Sequence, residues 1–250
     1  MPRFFLQASS IADGIVTVRG DDAAHISRSL RMRAGEHITV CDMQKIEYDC
    51  ELTLFTADTV TARVVSSKPS DTEPPYTVRL YQALPKSDKL DTIIQKSVET
   101  GAHVIIPFES ERCVVRADAD EKKEQKKLER RSRIALEAAK QCGRGCVPTV
   151  TTPMKFREML SDAMGSELVL FFYEGDGTVS LRKLLTKKYA DGSLPESVSV
   201  IIGSEGGFSL AEVEAARAAG ADICGLGKRI LRCETAPSFA LACLTYNFEL

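Results

Sequence analysis

Three prolines fall within the seven residues Pro69–Pro75 of the stretch PSDTEPPY. No helix or central strand runs through such a stretch, because each proline removes a backbone donor and fixes φ. The apolar pattern changes across it. Before it, short alternating segments follow one another closely: IVTV at Ile15, HITVCD from His37, IEYDCELTLF from Ile46 and TVTARVV from Thr59. Alternation broken by polar or glycine-containing turns predicts a small β-barrel. After it, apolar runs without a polar alternate (TVRLYQAL, HVIIPF, ELVLFFY, SVSVII) alternate with helical spacings. Strands apolar on both faces belong to a parallel sheet covered by helices. The chain therefore reads as a β-barrel over residues 1–72 and an α/β domain over residues 73–250, joined by a semi-rigid linker.

Local signals place the helices. Leu90, Ile93, Ile94 and Val98 recur at helical spacing, with Ser87 or Asp88 available as cap and Gly101 as terminator. Ser209 and Glu212 form a capping box for LAEVEAARAAG, and Pro237 stands where a first helical turn tolerates proline. The segment from Lys122 to Arg144 reads as a charged helix, either a solvated face laced with i,i+4 pairs or a functional surface.

A formal charge of −2 over 250 residues gives no global nucleic-acid signature. Such contacts have to come from local patches, of which RSLRMR, Arg28 to Arg33, is one. Eight cysteines without a CxxC pair and three histidines point to reduced thiols rather than a disulfide framework or zinc site, so no metal is expected. MPRFFLQASS lacks a signal-peptide core, and no stretch approaches the ~18 apolar residues of a membrane helix. A cytoplasmic protein without membrane contact is expected.

The stretch IIGSEGGFS, Ile201 to Ser209, sets an apolar strand against a glutamate flanked by glycines. Neither the P-loop nor the dinucleotide fingerprint fits its spacing, and Glu205 would repel a pyrophosphate. A neutral or cationic ligand held by exposed backbone groups suits it better, although a tight βα turn with an incidental glutamate has the same pattern. Two further strand ends carry glycine and charge. CGLGKRILRCETAPSF brings Gly225, Gly227, Lys228, Arg229, Arg232 and Glu234, and LVLFFYEGDG brings Glu174. Strand ends of one parallel sheet converge at its carboxyl edge, where α/β folds bind ligands.

These residues resemble a known family. IIGSEGGFSLAEVEAARAAG followed by GLGKRILRCETA is similar to the C-terminal signature of the SPOUT-class ribosomal RNA uridine-N3 methyltransferases, the RsmE family. PRFF, HISRSLRMRAGE, ALPKSDKLDTIIQKSVETGAHVIIPFESERC and RIALEAAKQCGRGCVP fall in the family's order, so the resemblance covers nearly the whole chain. Ser204 stands where proline is usual, and Cys142 where serine is common.

The resemblance implies a PUA-like β-barrel followed by an α/β SPOUT domain with a C-terminal trefoil knot, a fold the general avoidance of threaded chains would have excluded. It implies a homodimer that uses S-adenosylmethionine to methylate N3 of a uridine in small-subunit ribosomal RNA, free or in the assembled 30S subunit. The cofactor contacts it implies are Gly203, Glu205, Gly206, Gly207, Leu226, Gly227, Ile230, Leu231 and Ala236, with Phe172 and Glu174 from the third loop. Arg232 is the candidate for stabilising charge on the uracil ring, and Glu205 or Glu234 for accepting its proton. Arg3, Arg28, Arg31, Lys86, Lys89, Lys96, Arg112, Gln141 and Arg144 are the candidate RNA contacts. A related SPOUT enzyme acting on transfer RNA or a ribose hydroxyl, and a non-catalytic RNA-binding assembly factor, are the alternatives.

Overall fold

The computed structural model describes residues 1–250. The chain divides into two units, residues 1–73 with 139–147, and residues 74–138 with 148–250. A single cut of the chain does not express this division, because a short late segment belongs to the first unit.

The first unit holds strands β1 (Arg3–Phe5), β2 (Ile11–Ala12), β3 (Ile15–Arg19), β4 (His37–Cys41), β5 (Ile46–Phe55) and β6 (Thr59–Pro69), with the short helix α1 (Gly20–Ala24) and a π-helical turn, His25–Ser29. Their order in the sheet is β1-β4-β5-β6-β3-β2, with β1 parallel to β4 and the other neighbours antiparallel. No pairing joins β1 to β2, so the ring is open. Phe4 of β1 and Val16 and Val18 of β3 nonetheless share one apolar cluster with Ile38, Leu52 and Val60. Irregular register in β5, between Asp49 and Cys50 and between Leu52 and Leu54, is the kind of bulge that bends a sheet round such a core.

The proline-rich stretch is not a loose tether. Pro69 still pairs with Ile46 at the end of β6. Ser70 Oγ donates to Glu47 at 2.7 Å, and Thr72 Oγ1 donates to the Gly143 carbonyl at 2.9 Å. Glu73 then receives two bonds from the Arg144 guanidinium, at 2.8 and 2.6 Å, and one from the Gly145 amide at 2.8 Å. Arg3 closes the network by donating to Glu47 at 2.9 Å and to the Arg144 carbonyl at 3.0 Å. The Arg144 and Glu73 side chains are only 4% and 3% exposed. This corrects the expectation that Arg3 and Arg144 face RNA: both guanidiniums are taken up by ion pairs inside the first unit.

The second unit contains β7 (Thr77–Ala83), α2 (Lys89–Glu99), β8 (Val104–Glu109), α3 (Glu121–Cys142), β9 (Thr149–Val150), β10 (Met154–Lys155), α4 (Phe156–Ala163), β11 (Leu168–Phe172), β12 (Val179–Ser180), α5 (Leu181–Lys188), β13 (Ser197–Ile202), α6 (Leu210–Ala219), β14 (Asp222–Gly225) and α7 (Ala236–Phe248). The last turn of α3 belongs to the first unit. The sheet order is β10-β8-β7-β13-β11-β14-β12, with β9 also on β8, and every pairing is parallel. Every residue of β11 is buried, as is every residue of β13 after Ser197, which explains why these strands lack a polar alternate. Gly101 ends α2 at φ +94°, and Ser209 and Glu212 form the reciprocal cap of α6. Asp88 precedes α2 without a side-chain bond to it, so that helix start relies on other contacts.

Replacing Glu73 with Gln removes the carboxylate charge that faces the buried Arg144 guanidinium. Equilibrium unfolding of Glu73→Gln is expected to show a loss of about 3–5 kcal/mol relative to the parent protein.

Candidate functional site

Because β13, β11 and β14 are adjacent and parallel, the loops that follow them open at one edge of the sheet. There they enclose a cavity of about 710 Å3. Every expected cofactor contact lines it: Phe172 and Glu174 after β11, Gly203, Glu205, Gly206 and Gly207 after β13, and Leu226, Gly227, Ile230, Leu231 and Ala236 after β14. Lys89, Arg112 and Arg232 line it as well, whereas Glu234 reaches it through Lys89. Gly225 and Arg229, singled out as strand-end glycine and charge, and Ser204 also line it, while sequence reasoning passed over Tyr173, Gly175, Thr178, Ile202, Phe208 and Cys233, which complete the wall. All of these but Thr178 neighbour a residue already named, and that adjacency was the available signal.

The loop after β13 is fixed from below and from the side. Phe208 is buried, with its ring centroid 4.2 Å from that of Phe171 and stacked on Phe108 at 6.3 Å. The Gly207 amide donates to the Ser204 carbonyl at 3.0 Å, which tightens the turn. Gln82, fully buried at the end of β7, donates to the Gly203 carbonyl at 3.2 Å. Glu212 accepts from the Ser209 amide at 2.9 Å with one oxygen and from the Glu111 amide at 2.8 Å with the other. That second bond lashes the segment after β8 to this loop, and Arg112 in the same segment donates to the Gly206 carbonyl at 3.2 Å.

The glycines differ in what they serve. A Cβ on Gly206 would lie 2.9 Å from Arg112 Cβ and 3.0 Å from its carbonyl oxygen, so this position is kept bare by the protein itself. Gly207 and Gly227 have φ of +62° and +112°, and a Cβ on either would meet nothing within 4 Å. Their backbone borders open space, and their conformation is one that side chains rarely adopt.

The charges at the mouth form one cluster. Lys89 Nζ lies 2.8 Å from Glu205 and 3.2 Å from Glu234. Both oxygens of Glu205 also accept the Lys86 amide, at 3.2 and 3.3 Å. Burial pushes the Glu205 carboxyl up, but the hydrogen bonds from Lys89 and backbone amides outweigh it and hold the group below its ordinary value. Glu234 is held low by its own backbone amide first, with Cys233 and Lys89 adding to the effect. Burial pushes the Cys233 thiol up to about 12, so it stays protonated and donates to Glu234 at 3.3 Å. Arg232 stands apart. Its side chain is 83% exposed and its partner Glu234 is 4.0 Å away, at the limit of an ion pair. Such a contact is weak, and the guanidinium faces solvent.

The remaining expected RNA contacts are dispersed. Arg28, Arg31 and Gln141 are exposed on the first unit, and Lys86 on the second. Lys96 pairs with Glu99 at 2.9 Å on its own helix. Lys89 is the exception in kind: its ammonium is engaged by two carboxylates, Glu205 and Glu234.

The chain is similar to known RNA methyltransferases. Residues 72–245 match the RNA methyltransferase domain family, and residues 18–65 match the RNA methyltransferase PUA domain. The chain is 38% identical over 94% of its length to the ribosomal RNA small subunit methyltransferase E of Bacillus subtilis, of which it covers 91%. It is 30% identical over 96% of its length to the protein of that name from Synechocystis, covering 76% of it. The crystal structure of the Neisseria gonorrhoeae ribosomal RNA small subunit methyltransferase E, bound to S-adenosyl methionine, superposes with a TM-score of 0.82 at 31% identity, covering 98% of this chain and 97% of that one.

Since Arg112 already occupies the space above Gly206, Gly206→Ala should lower stability without any ligand present. Thermal unfolding of the free protein is expected to report a cost of about 1–3 kcal/mol, the usual range for overpacking.

Proposed function

This chain belongs to the ribosomal RNA small subunit methyltransferase E family, and from that premise we propose that it transfers a methyl group from S-adenosylmethionine to N3 of a uridine in small-subunit ribosomal RNA. The observation that carries the reading is the single cavity formed by three adjacent strand ends. Its volume of about 710 Å3 lies inside the range of roughly 300–1,000 Å3 typical of small-ligand pockets. The residues present fit the cofactor. Gly207 and Gly227 offer backbone facing open space, and Phe172, Ile202, Leu226 and Leu231 offer apolar faces for a purine. Glu174 and Glu205 suit a cationic ligand and oppose a phosphate. We assign cofactor contact to Gly203, Glu205, Gly206, Gly207, Leu226, Gly227, Ile230, Leu231, Ala236, Phe172 and Glu174.

When bound, S-adenosylmethionine supplies a methyl group on positively charged sulfur. The chain has to orient the uracil and manage its proton. N3 bears that proton between two carbonyl oxygens, which take up negative charge as it leaves. Glu205 and Glu234 are held at low pKa and tied to Lys89, which makes them poor proton acceptors. Arg232 is cationic, exposed and at the cavity, so a forked bond to a uracil oxygen is its role, and the proton leaves to water. N3 lies on the pairing edge of the base, so the target uridine is unstacked when it reacts. Arg28 and Arg31 on the first unit and Lys86, Lys96 and Arg112 on the second contact phosphates, and Gln141 contacts a base.

The proposal also includes a trefoil knot, a homodimer, action on the 30S subunit and a cytoplasmic location. After β14 the chain returns to pack α7 against α2 and β13, a path compatible with a knotted C-terminus. No helix is long and apolar enough to cross a membrane.

Incubation with labelled S-adenosylmethionine and unmodified small subunits is expected to label N3 of one uridine. Label on a ribose oxygen or on transfer RNA would replace this reading with another. Arg232→Ala is expected to keep cofactor affinity within severalfold while slowing turnover by about 10²-fold or more, the scale of a lost charge-stabilising donor.

A further inference from the structure

Lys89 opens α2, and its ammonium meets carboxylates from two different loops, Glu205 at 2.8 Å and Glu234 at 3.2 Å. Those loops follow β13 and β14, which are not neighbours, because β11 lies between them. No ladder hydrogen bond therefore ties one loop to the other. Within the cluster Cys233 donates to Glu234, and the Lys86 amide donates to Glu205, but each of these bonds stays with one carboxylate. The ammonium alone is shared. Without it, two anions brought to one small volume would repel, and the two loops would move apart.

We propose that Lys89 is a positioning residue for the cofactor, an ammonium clasp that joins the loops following β13 and β14 into one wall of the cavity. The assignment rests on the S-adenosylmethionine reading of that cavity, and it removes Lys89 from the RNA contacts. Its side chain is 31% exposed, so the clasp is reachable by solvent and depends on the charge of its partners.

That dependence has a definite direction. The groups facing Glu205 are Lys89 from α2, the Lys86 amide from the loop before it, and Cys233 and Glu234 from the loop before α7. Burial raises the Glu205 carboxyl, and Lys89 and backbone amides lower it, with the net effect below its ordinary value. The intact clasp is thus present above that value and is lost as pH falls through the depressed one. Lys89 is raised above its ordinary value, through its bond to Glu205 first, so it stays charged over the whole window. Removing it leaves burial opposed by backbone amides only, and the nearby Glu234 charge acts in the same direction as burial. The Glu205 midpoint then moves up.

Two measurements on the full chain test the clasp. Calorimetric titration with S-adenosylmethionine at neutral pH is expected to show Lys89→Met weakened about tenfold or more, as for a lost charge-assisted bond. Lys89→Arg should retain most of the affinity, because a guanidinium can fork two carboxylates. Adding Glu234→Gln to Lys89→Met should recover part of the loss by removing the repulsion. Independently, carbon NMR titration of Glu205 in the ligand-free protein should place its midpoint below the ordinary glutamate value in the parent and higher in Lys89→Met. Wild-type cofactor affinity in Lys89→Met, together with an unmoved Glu205 midpoint, would overturn the proposal. If the parent protein binds no S-adenosylmethionine, the proposed function fails, and the NMR titration still decides whether the clasp exists.

Discussion

A parallel sheet has a direction, and the second unit is organised by it. Four of its strands, β7, β13, β11 and β14, lie side by side and run the same way. β7, β13 and β11 are buried through most of their length, so a charge in mid-strand has to be desolvated or paired, as Arg79 of β7 is with Asp162. Charge is tolerated where the strands stop, and all of them stop at one edge. Glu205, Glu234, Arg232 and Lys89 are gathered there by the same rule that fills the strands with Val, Ile and Leu. The core reaches up to that edge through Phe208, whose ring sits against Phe171 immediately after the glycine turn. The loop is therefore exposed on one side and anchored in the interior on the other, and its backbone can face a ligand without being loose.

Two ion-pair arrangements in the chain show how burial changes what such a pair does. Arg144 and Glu73 are almost fully withdrawn from water, with bidentate geometry and further bonds from Gly145 and Arg3. Charges held in that way cannot be released to a substrate without exposing an unpaired partner. Lys89 and its two carboxylates keep access to solvent, so their coupling is screened and can respond to a ligand or to pH. The first arrangement fixes structure. The second can adjust at the place where binding happens.

The distinction explains what could be read from sequence. The capping box of Ser209 and Glu212, the termination of α2 at Gly101 and the burial of β11 and β13 on both faces are local consequences of local residues, and they were legible. So was the glycine and charge at three strand ends. The partners of charged residues were not. Lys89 and Glu205 are 116 residues apart and Glu73 and Arg144 are 71 apart, and a lysine at a helix start looks the same whether it meets a phosphate or a carboxylate. Arg144, which reads as an RNA contact, is spent on Glu73. Gly206 lines the cavity, but what keeps it bare is Arg112, whose Cβ and carbonyl fill the space a side chain would take.

Exposure then separates the cations that can reach a substrate from those that cannot. Arg3, Arg144 and Lys89 have strong carboxylate partners at short range, while Arg232 has one contact at 4.0 Å. Two residues before it, Ile230 leaves 80% of its surface in water although it lines the same cavity. An apolar side chain held in that state gains on being covered, by about 25 cal/mol for each Å2 removed from water. The loop thus presents an uncovered apolar group and an unspent guanidinium side by side. In the reading proposed above, Ile230 is covered by the cofactor and the Arg232 guanidinium beyond it is left for a carbonyl oxygen at the rim of the unstacked base.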